Sequence, residues 1–267
     1  MQEEAKELGV SVVPLKTIFS DGEYLDGKTL THKQFYEKIR DLNEIPKTSQ
    51  VNIYDFSKEY EKFKDDDVIV ITMSAKLSGT CQSAMIASED YKNVHVVDSG
   101  SVTIGEQILV RYALELIKKG LKVNEIVDEL NKQKENICVF GLLDTLEYLK
   151  KGGRISSTQA FVGNILSIKP VCGIVDGVVK MYGKARGYKN GYIMLNNIIK
   201  DDGGIDDSKP FACAYSGLNV ELLIRYLDNN QQMFQMDVKD IPIRTIGCTI
   251  GTHIGPDTIA LAFFKNN

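Results

Sequence analysis

Two segments far apart in the sequence combine glycines with hydroxyl side chains in a way that suits the binding of an anion. The first, residues 78–84, begins with Ser78, Gly79 and Thr80, and the second, residues 247–256, contains His253. Glycine lets a ligand approach the backbone closely, and the first amides of a helix point outward toward an anion. If the fold brings the two segments together, they predict one anion-binding site that includes a histidine.

Each candidate residue also has an ordinary structural explanation. Ser78 is equally well explained as the N-cap of the helix that follows it. His253 is flanked by glycines and a proline that predict a tight loop, and there it is most simply a histidine bonded to the backbone. Thr48 is most simply a helix cap, and Arg154 and Arg186 are most simply solvated. The sequence pattern alone leaves these alternatives open.

Alternating strands and helices must position these residues in the first half of the chain. Buried strands are predicted over residues 68–73, 94–97 and 137–142, and helices over residues 104–119 and 123–134. Such alternation predicts a parallel α/β sheet with helices on both faces and with ligands at the carboxyl ends of its strands.

The second half is predicted to form an α+β domain with a mainly antiparallel sheet. Residues 171–182 are the clearest hairpin, because Asp176-Gly177 supplies the positive φ angles of a two-residue turn. We therefore predict a parallel α/β domain over residues 1–157 and an α+β domain over residues 158–267. The other elements predicted here are strands over residues 211–215, 241–246 and 259–264 and a helix over residues 220–227.

The N-terminal stretch departs from this plan. A parallel sheet of this kind normally begins with a strand, but residues 2–8 predict a helix. The first predicted strand covers residues 10–13 and ends at Pro14. We therefore expect an opening strand of the first domain to be missing. A further helix is predicted from Leu143 to the glycines at 152 and 153.

The composition argues against several classes of protein. The formal net charge is −4 and no basic tract occurs, so nothing favours a nucleic-acid partner. No segment has the length of a membrane span or the pattern of a signal peptide. The five cysteines are widely separated and form no Cys-x-x-Cys pair, which favours free thiols in a reducing cytoplasm over a zinc site.

The usual motifs of a self-sufficient enzyme are also missing from the sequence. It has no Gly-x-Gly-x-x-Gly loop, no P-loop and no nucleophile elbow. A small hydrolase or transferase acting alone would have to use Ser78 with His253 as its base, and this remains the alternative to a binding protein. A ligand-sensing interaction protein is a third possibility.

Six motifs, in order along nearly the whole chain, resemble those of the DegV family. The resemblance implies a two-domain α/β protein that buries one long-chain fatty acid between its domains, with the second domain around the tail. It also implies that a separate kinase subunit phosphorylates the carboxylate, giving an acyl phosphate for phospholipid synthesis. The motifs are Thr48-Ser49-Gln50, residues 77–84, Val97-Asp98-Ser99, residues 146–155, Ile168-Lys169-Pro170 and residues 250–256.

By this resemblance the chain is a cytoplasmic substrate-binding subunit and not an enzyme, with no catalytic residue, metal or cofactor. It would have no membrane span, and transient membrane contact is left open. Arg154 matches a position on the surface that faces the kinase. One departure is that family members typically open with a strand ending in Thr-Asp-Ser, which this chain does not show. The implied head-group residues are Thr48, Ser78, Gly79, Thr80, His253 and, as a weaker match, Arg186.

Overall fold

The computed structural model describes residues 2–155, 167–234 and 236–266. The helices in these ranges are α1 (Gln2–Leu8), α2 (His32–Leu42), α3 (Ile53–Tyr60), α4 (Thr80–Ser88), α5 (Ile104–Lys118), α6 (Val123–Gln133), α7 (Glu147–Lys151), α8 (Gly187–Asp201), α9 (Glu221–Asn229) and α10 (Cys248–Ile254). The strands are β1 (Lys16–Phe19), β2 (Gly22–Leu25), β3 (Lys47–Ser49), β4 (Val68–Thr72), β5 (Val94–Asp98), β6 (Ile137–Leu142), β7 (Ile168–Val175), β8 (Val178–Arg186), β9 (Ala212–Tyr215), β10 (Ile243–Thr245) and β11 (Ile259–Phe264).

The strands form three sheets. β4 and β5 pair in parallel, and β2-β1-β3 is a small antiparallel sheet. The third sheet has six strands in the order β10-β9-β11-β6-β7-β8, and all of its pairs are antiparallel except β9 with β10. The predicted combination of a parallel α/β unit and a mainly antiparallel sheet is confirmed.

Helices cover the parallel pair on both faces. Ile69 and Ile71 of β4 pack against the core that α5 and α6 build. Val70 and Val96 pack on the other side, with α3 and α4. Successive side chains of a strand point to opposite faces, so a strand covered on both sides needs an unbroken apolar run. Helix α5 also packs against the six-stranded sheet through Ala214 and its neighbours, and thus joins the two sheets.

The strand at residues 137–142 is in a different sheet from the one predicted. We expected it in the parallel sheet, but β6 lies inside the six-stranded sheet and pairs antiparallel with β11 and β7. This expectation was wrong because an apolar run shows only that both faces are covered, whereas the direction of pairing is set by distant strands. The predicted domain boundary at residue 157 lies outside the described residues and stays a prediction.

The N-terminal elements also differ from the prediction. Residues 10–13 form no strand, and the first strand is Lys16–Phe19, which pairs antiparallel with β2 and β3. Ser11 and Val12 are exposed, while Val13 packs beside the parallel pair. The apolar residues at this point therefore contribute to packing without entering a sheet.

The predicted turn at Asp176-Gly177 and the predicted helix end at Gly120 are confirmed, and both need positive φ angles. The hairpin β7–β8 turns at Asp176 and Gly177, with φ angles of 49° and 75°. Helix α5 is followed by Gly120 at a φ of 78°. All five cysteines are free and buried. Among the described residues, no helix combines the length and the apolar character that crossing a bilayer requires.

Candidate functional site

A cavity of about 390 Å³ brings most of the predicted site residues together. Its volume lies within the roughly 300–1,000 Å³ typical of small-molecule sites. Five of the predicted residues line it, namely Thr48, Ser78, Gly79, Arg154 and His253. The remaining lining residues are Leu15, Ser49, Gln50, Met73, Leu77, Val102, Leu149, Val179, Thr249, Ile250 and Ile254.

A hydrogen bond between Thr48 and His253 links two distant segments at the cavity. Thr48 Oγ1 lies 2.9 Å from His253 Nε2. Thr48 was expected to be a loop residue that caps a helix, but it lies in β3, and the cap of the next helix is Asn52. His253 was expected in a tight loop, but it lies in the last turn of α10. Both local structures therefore differ from the predictions. The expected convergence of segments 78–84 and 247–256 is seen in the shared cavity wall, to which Ser78 and His253 both belong.

Burial keeps the imidazole of His253 neutral. Desolvation, together with the nearby positive charge of Arg154, lowers the pKa of His253 to about 4. Its Nδ1 atom is buried and has no hydrogen-bond partner among the described residues. A proton on Nδ1 would leave a buried N–H without an acceptor, so Nε2 carries the proton and donates to Thr48. The Thr48 hydroxyl can then donate its own hydrogen into the cavity.

The hydroxyl of Ser78 lies at the start of α4. Ser78 Oγ is 2.9 Å from Thr80 Oγ1 and accepts a hydrogen bond from the Thr80 amide at 3.3 Å. The prediction that Ser78 is the N-cap is wrong, because Gly79 occupies the N-cap position of α4 and the Ser78 hydroxyl bonds to Thr80, the first residue of the helix. A Cβ atom at residue 79 would lie 2.1 Å from the end of the Gln50 side chain, which would have to move to admit it. Thr80 itself is buried behind Ser78.

The two arginines lie in different places. Arg154 lines the cavity while remaining exposed, and its guanidinium donates to the carbonyls of Gly152 and Leu77. No carboxylate among the described residues pairs with it. Arg186 lies exposed at the junction of β8 and α8 and is not part of the cavity wall. Among the residues that the structure describes, the cationic side chain in the cavity wall is therefore Arg154.

A carboxylate that the sequence analysis missed holds α10 in place. The buried Asp26 accepts hydrogen bonds from the amides of Cys248 and Thr249, at 3.0 and 2.7 Å. Burial alone would raise the pKa of Asp26, but His32 and these amides outweigh it and lower the pKa. The first amides of the second segment are thus satisfied by the protein itself. At the C-terminal end of α10, the polar side chain that lines the cavity is His253.

Gly152 is a second residue that the sequence analysis passed over as a site residue. It follows α7, and a Cβ atom at this position would lie 2.1 Å from His253 Nδ1. The ring of His253 therefore rests against a backbone that has no side chain. The sequence signal was present, as two adjacent glycines before Arg154, but it indicated only the end of a helix.

Among the described residues no group of histidine, cysteine, aspartate or glutamate side chains is arranged to hold a metal ion. The polar side chains that line the cavity instead carry hydroxyls, the Gln50 amide, one neutral imidazole and one guanidinium. The hydroxyls and the guanidinium can donate hydrogen bonds, which suits an anionic or oxygen-bearing ligand.

Comparison with known proteins identifies the family. A family model described as an uncharacterised protein of the DegV family matches residues 1–266. The chain belongs to the DegV family. It is 32% identical over 259 residues to a fatty acid-binding protein of Thermotoga maritima, covering 94% of this chain and 88% of that protein. The resemblance on which the predictions relied is thereby confirmed.

Solved structures of DegV proteins share the fold. A fatty-acid-binding DegV family protein from Thermus thermophilus superposes with a TM-score of 0.88 at 29% identity, over 100% of this chain and 95% of that one. DegV of Bacillus subtilis, described as a fatty acid binding protein, gives 0.82 at 28% identity, over 99% and 95%. The similarity therefore extends over all the elements that build the cavity.

We predict that Gly152→Ala displaces the ring of His253. Because φ at Gly152 is −75°, alanine adds no backbone strain, and its effect comes from the collision with Nδ1. Overpacking of this kind costs about 1–3 kcal/mol. The imidazole resonances of His253 should shift, and urea unfolding should show the loss of stability. Gly153→Ala is the control for the displacement of the ring. Its φ of 67° strains an alanine, so stability should fall, but a Cβ there meets nothing within 4 Å and the His253 resonances should not shift. Unshifted His253 resonances in Gly152→Ala would contradict the contact between the His253 ring and the backbone of Gly152.

We also predict that folding suppresses the protonation of His253. In an NMR titration of the ligand-free protein, its ring should stay neutral until the pH approaches about 4. In urea the same ring should titrate near the ordinary histidine pKa of about 6.5. The unfolded chain therefore binds more protons between these values, and stability should fall as the pH drops through this window, by on the order of 2 kcal/mol. His253→Gln should lose this part of the pH dependence. If the free energy of unfolding depended on pH equally in the wild type and in His253→Gln, the prediction that His253 causes this pH dependence would be wrong.

Proposed function

We propose that this DegV protein binds one long-chain fatty acid and presents its carboxylate to a separate kinase subunit for acyl phosphate formation. The observation that carries the proposal is the division of the cavity wall. Hydroxyls, an imidazole and a guanidinium lie on part of it, and aliphatic side chains make up much of the rest. The relatives described as fatty-acid-binding proteins support the same ligand class.

The polar groups fit a carboxylate. Thr48, polarised by the N–H of His253, and Ser78 each offer a hydroxyl, and Arg154 offers a positive charge. A buried carboxylate without such partners would carry a penalty of several kcal/mol. Hydrogen bonds to a charged group contribute about 1.5–3 kcal/mol each, so a few donors suffice to offset that penalty.

The aliphatic wall fits an acyl chain. Leu149, Val179, Ile250 and Ile254 come from α7, β8 and α10 and line the same cavity as the donors. Burying about ten methylenes at about 0.8 kcal/mol each stabilises the complex by on the order of 8 kcal/mol. In this proposal the tail supplies most of the affinity and the head group sets the orientation.

Presentation to a kinase requires the carboxylate to be reachable from solvent. Arg154 supports this, since it lines the cavity and is exposed at the same time. We propose that the head group lies next to Arg154, where a partner carrying ATP can approach it. The free cysteines agree with a cytoplasmic place for such a reaction.

A hydrolase or transferase acting alone is less well supported. The imidazole of His253 is bonded to Thr48, whereas Ser78 Oγ is bonded to Thr80. A nucleophile and base would need a direct hydrogen bond and a third group that orients the base. The buried Nδ1 of His253 has no such partner among the described residues, and a pKa of about 4 makes the imidazole a weak base at neutral pH.

We predict that removing either hydroxyl weakens fatty acid binding. Ser78→Ala and Thr48→Val should each raise the Kd for palmitic acid about tenfold, the loss expected for a hydrogen bond to a charged acceptor. Isothermal titration of delipidated protein measures this. Ser208→Ala is the control, because that exposed serine bonds only locally to Asp206.

The Thr48 and His253 changes should not be additive, because the two side chains act as one hydrogen-bonded unit. His253→Gln combined with Thr48→Val should therefore lose little more than the stronger single change. Unchanged affinity in both Ser78→Ala and His253→Gln would reject the head-group assignment.

We predict that acyl phosphate forms only when this chain, palmitic acid, ATP and a bacterial fatty acid kinase subunit are combined. Arg154→Ala should lower the output more than it lowers the affinity for palmitic acid, since Arg154 is the exposed member of the site. Trapping the product with hydroxylamine measures the output. Turnover of ester or phosphate substrates by this chain alone would favour the enzyme. Palmitic acid binding without acyl phosphate from any kinase subunit would favour a ligand sensor.

A further inference from the structure

Thr249 is a polar residue in the cavity wall, and its hydroxyl makes no hydrogen bond with the described part of the protein. It lies in the first turn of α10 and is 4% exposed. Its amide is bonded to Asp26, but its Oγ1 atom is buried and has no hydrogen-bond partner among the described residues. A buried hydroxyl without a partner is unfavourable, and valine would fill the same space without that penalty.

Thr252 on the same helix shows what a structural threonine does here. Its Oγ1 donates to the Cys248 carbonyl at 2.9 Å, its side chain is 2% exposed, and it does not line the cavity. Thr249 has no matching carbonyl one turn earlier within α10, because the helix begins at Cys248. Helix packing therefore explains the hydroxyl of Thr252 and leaves that of Thr249 unexplained.

The position of Thr249 relates it to the head-group residues. It precedes His253 by four residues on α10, so the two share a face of the helix, about 6 Å apart along its axis. Both residues line the cavity. A carboxylate has two oxygens that together accept up to about four hydrogen bonds, so it can bond to several hydroxyls at once. Threonine in a helix uses two χ1 rotamers, which lets the hydroxyl turn toward a ligand.

We propose that the Thr249 hydroxyl donates a hydrogen bond to the carboxylate of the bound acid. It would be the third hydroxyl of the head-group site, after Thr48 and Ser78. This inference rests on the proposed function, because it assigns one more contact to the same ligand.

The test uses the full chain after delipidation, with palmitic acid and 1-hexadecanol as probes. Thr249→Val should raise the Kd for palmitic acid about tenfold and change that for hexadecanol far less, since a charged acceptor strengthens the bond. Thr249→Ser should bind like the wild type.

Thermal unfolding of Thr249→Val should be unchanged or shifted upward, because the variant removes an unpaired buried hydroxyl. Thr252→Val is the matched control, and it should lower stability without changing the preference for the acid.

Three results would overturn the inference while leaving the proposed function intact. They are an unchanged palmitic acid affinity in Thr249→Val, an equal loss for both probes, and a loss in Thr252→Val as large as that in Thr249→Val. Wild-type protein that binds no palmitic acid would instead overturn the proposed function, and this inference with it.

Discussion

The contact between β3 and α10 is the constraint on which the site depends. The hydrogen bond from His253 to Thr48 joins residues 205 positions apart and sets the distance between two walls of the cavity. It exists only because α10 begins where it does, and that start is fixed by the buried Asp26 carboxylate. A buried carboxylate outside the cavity wall therefore determines where the imidazole of His253, which lines the cavity, lies.

The same contact determines the electrostatics of the cavity. His253 is held away from water by Gly152 on one side and by Thr48 on the other, so its neutral form is favoured. A neutral donor binds an anion less strongly than a cation does, but it leaves no uncompensated charge in the empty cavity. The permanent positive charge is carried instead by the exposed Arg154, where water screens it when no ligand is bound.

Local patterns in the sequence predicted the elements well where the cause is local. The Asp176-Gly177 turn and the helix end at Gly120 follow from backbone geometry that other residues rarely adopt. The helix α10 was missed because Gly251 in its middle indicates a loop. That glycine has a tertiary reason, since a Cβ there would lie 2.6 Å from the Tyr36 hydroxyl. The sheet that β6 joins is likewise decided by strands far along the chain.

The two helices at the cavity contribute in opposite ways, and the difference follows from their direction. The N-terminal end of α4, at Ser78 and Gly79, carries a partial positive charge that favours an anion. His253 lies in the last turn of α10, where the partial charge is negative. That end would repel a carboxylate if it offered only carbonyls, so a side-chain donor is needed there. In the proposed complex the Thr48 hydroxyl, polarised by the N–H of His253, supplies that donor, and α4 and Arg154 stabilise the anion.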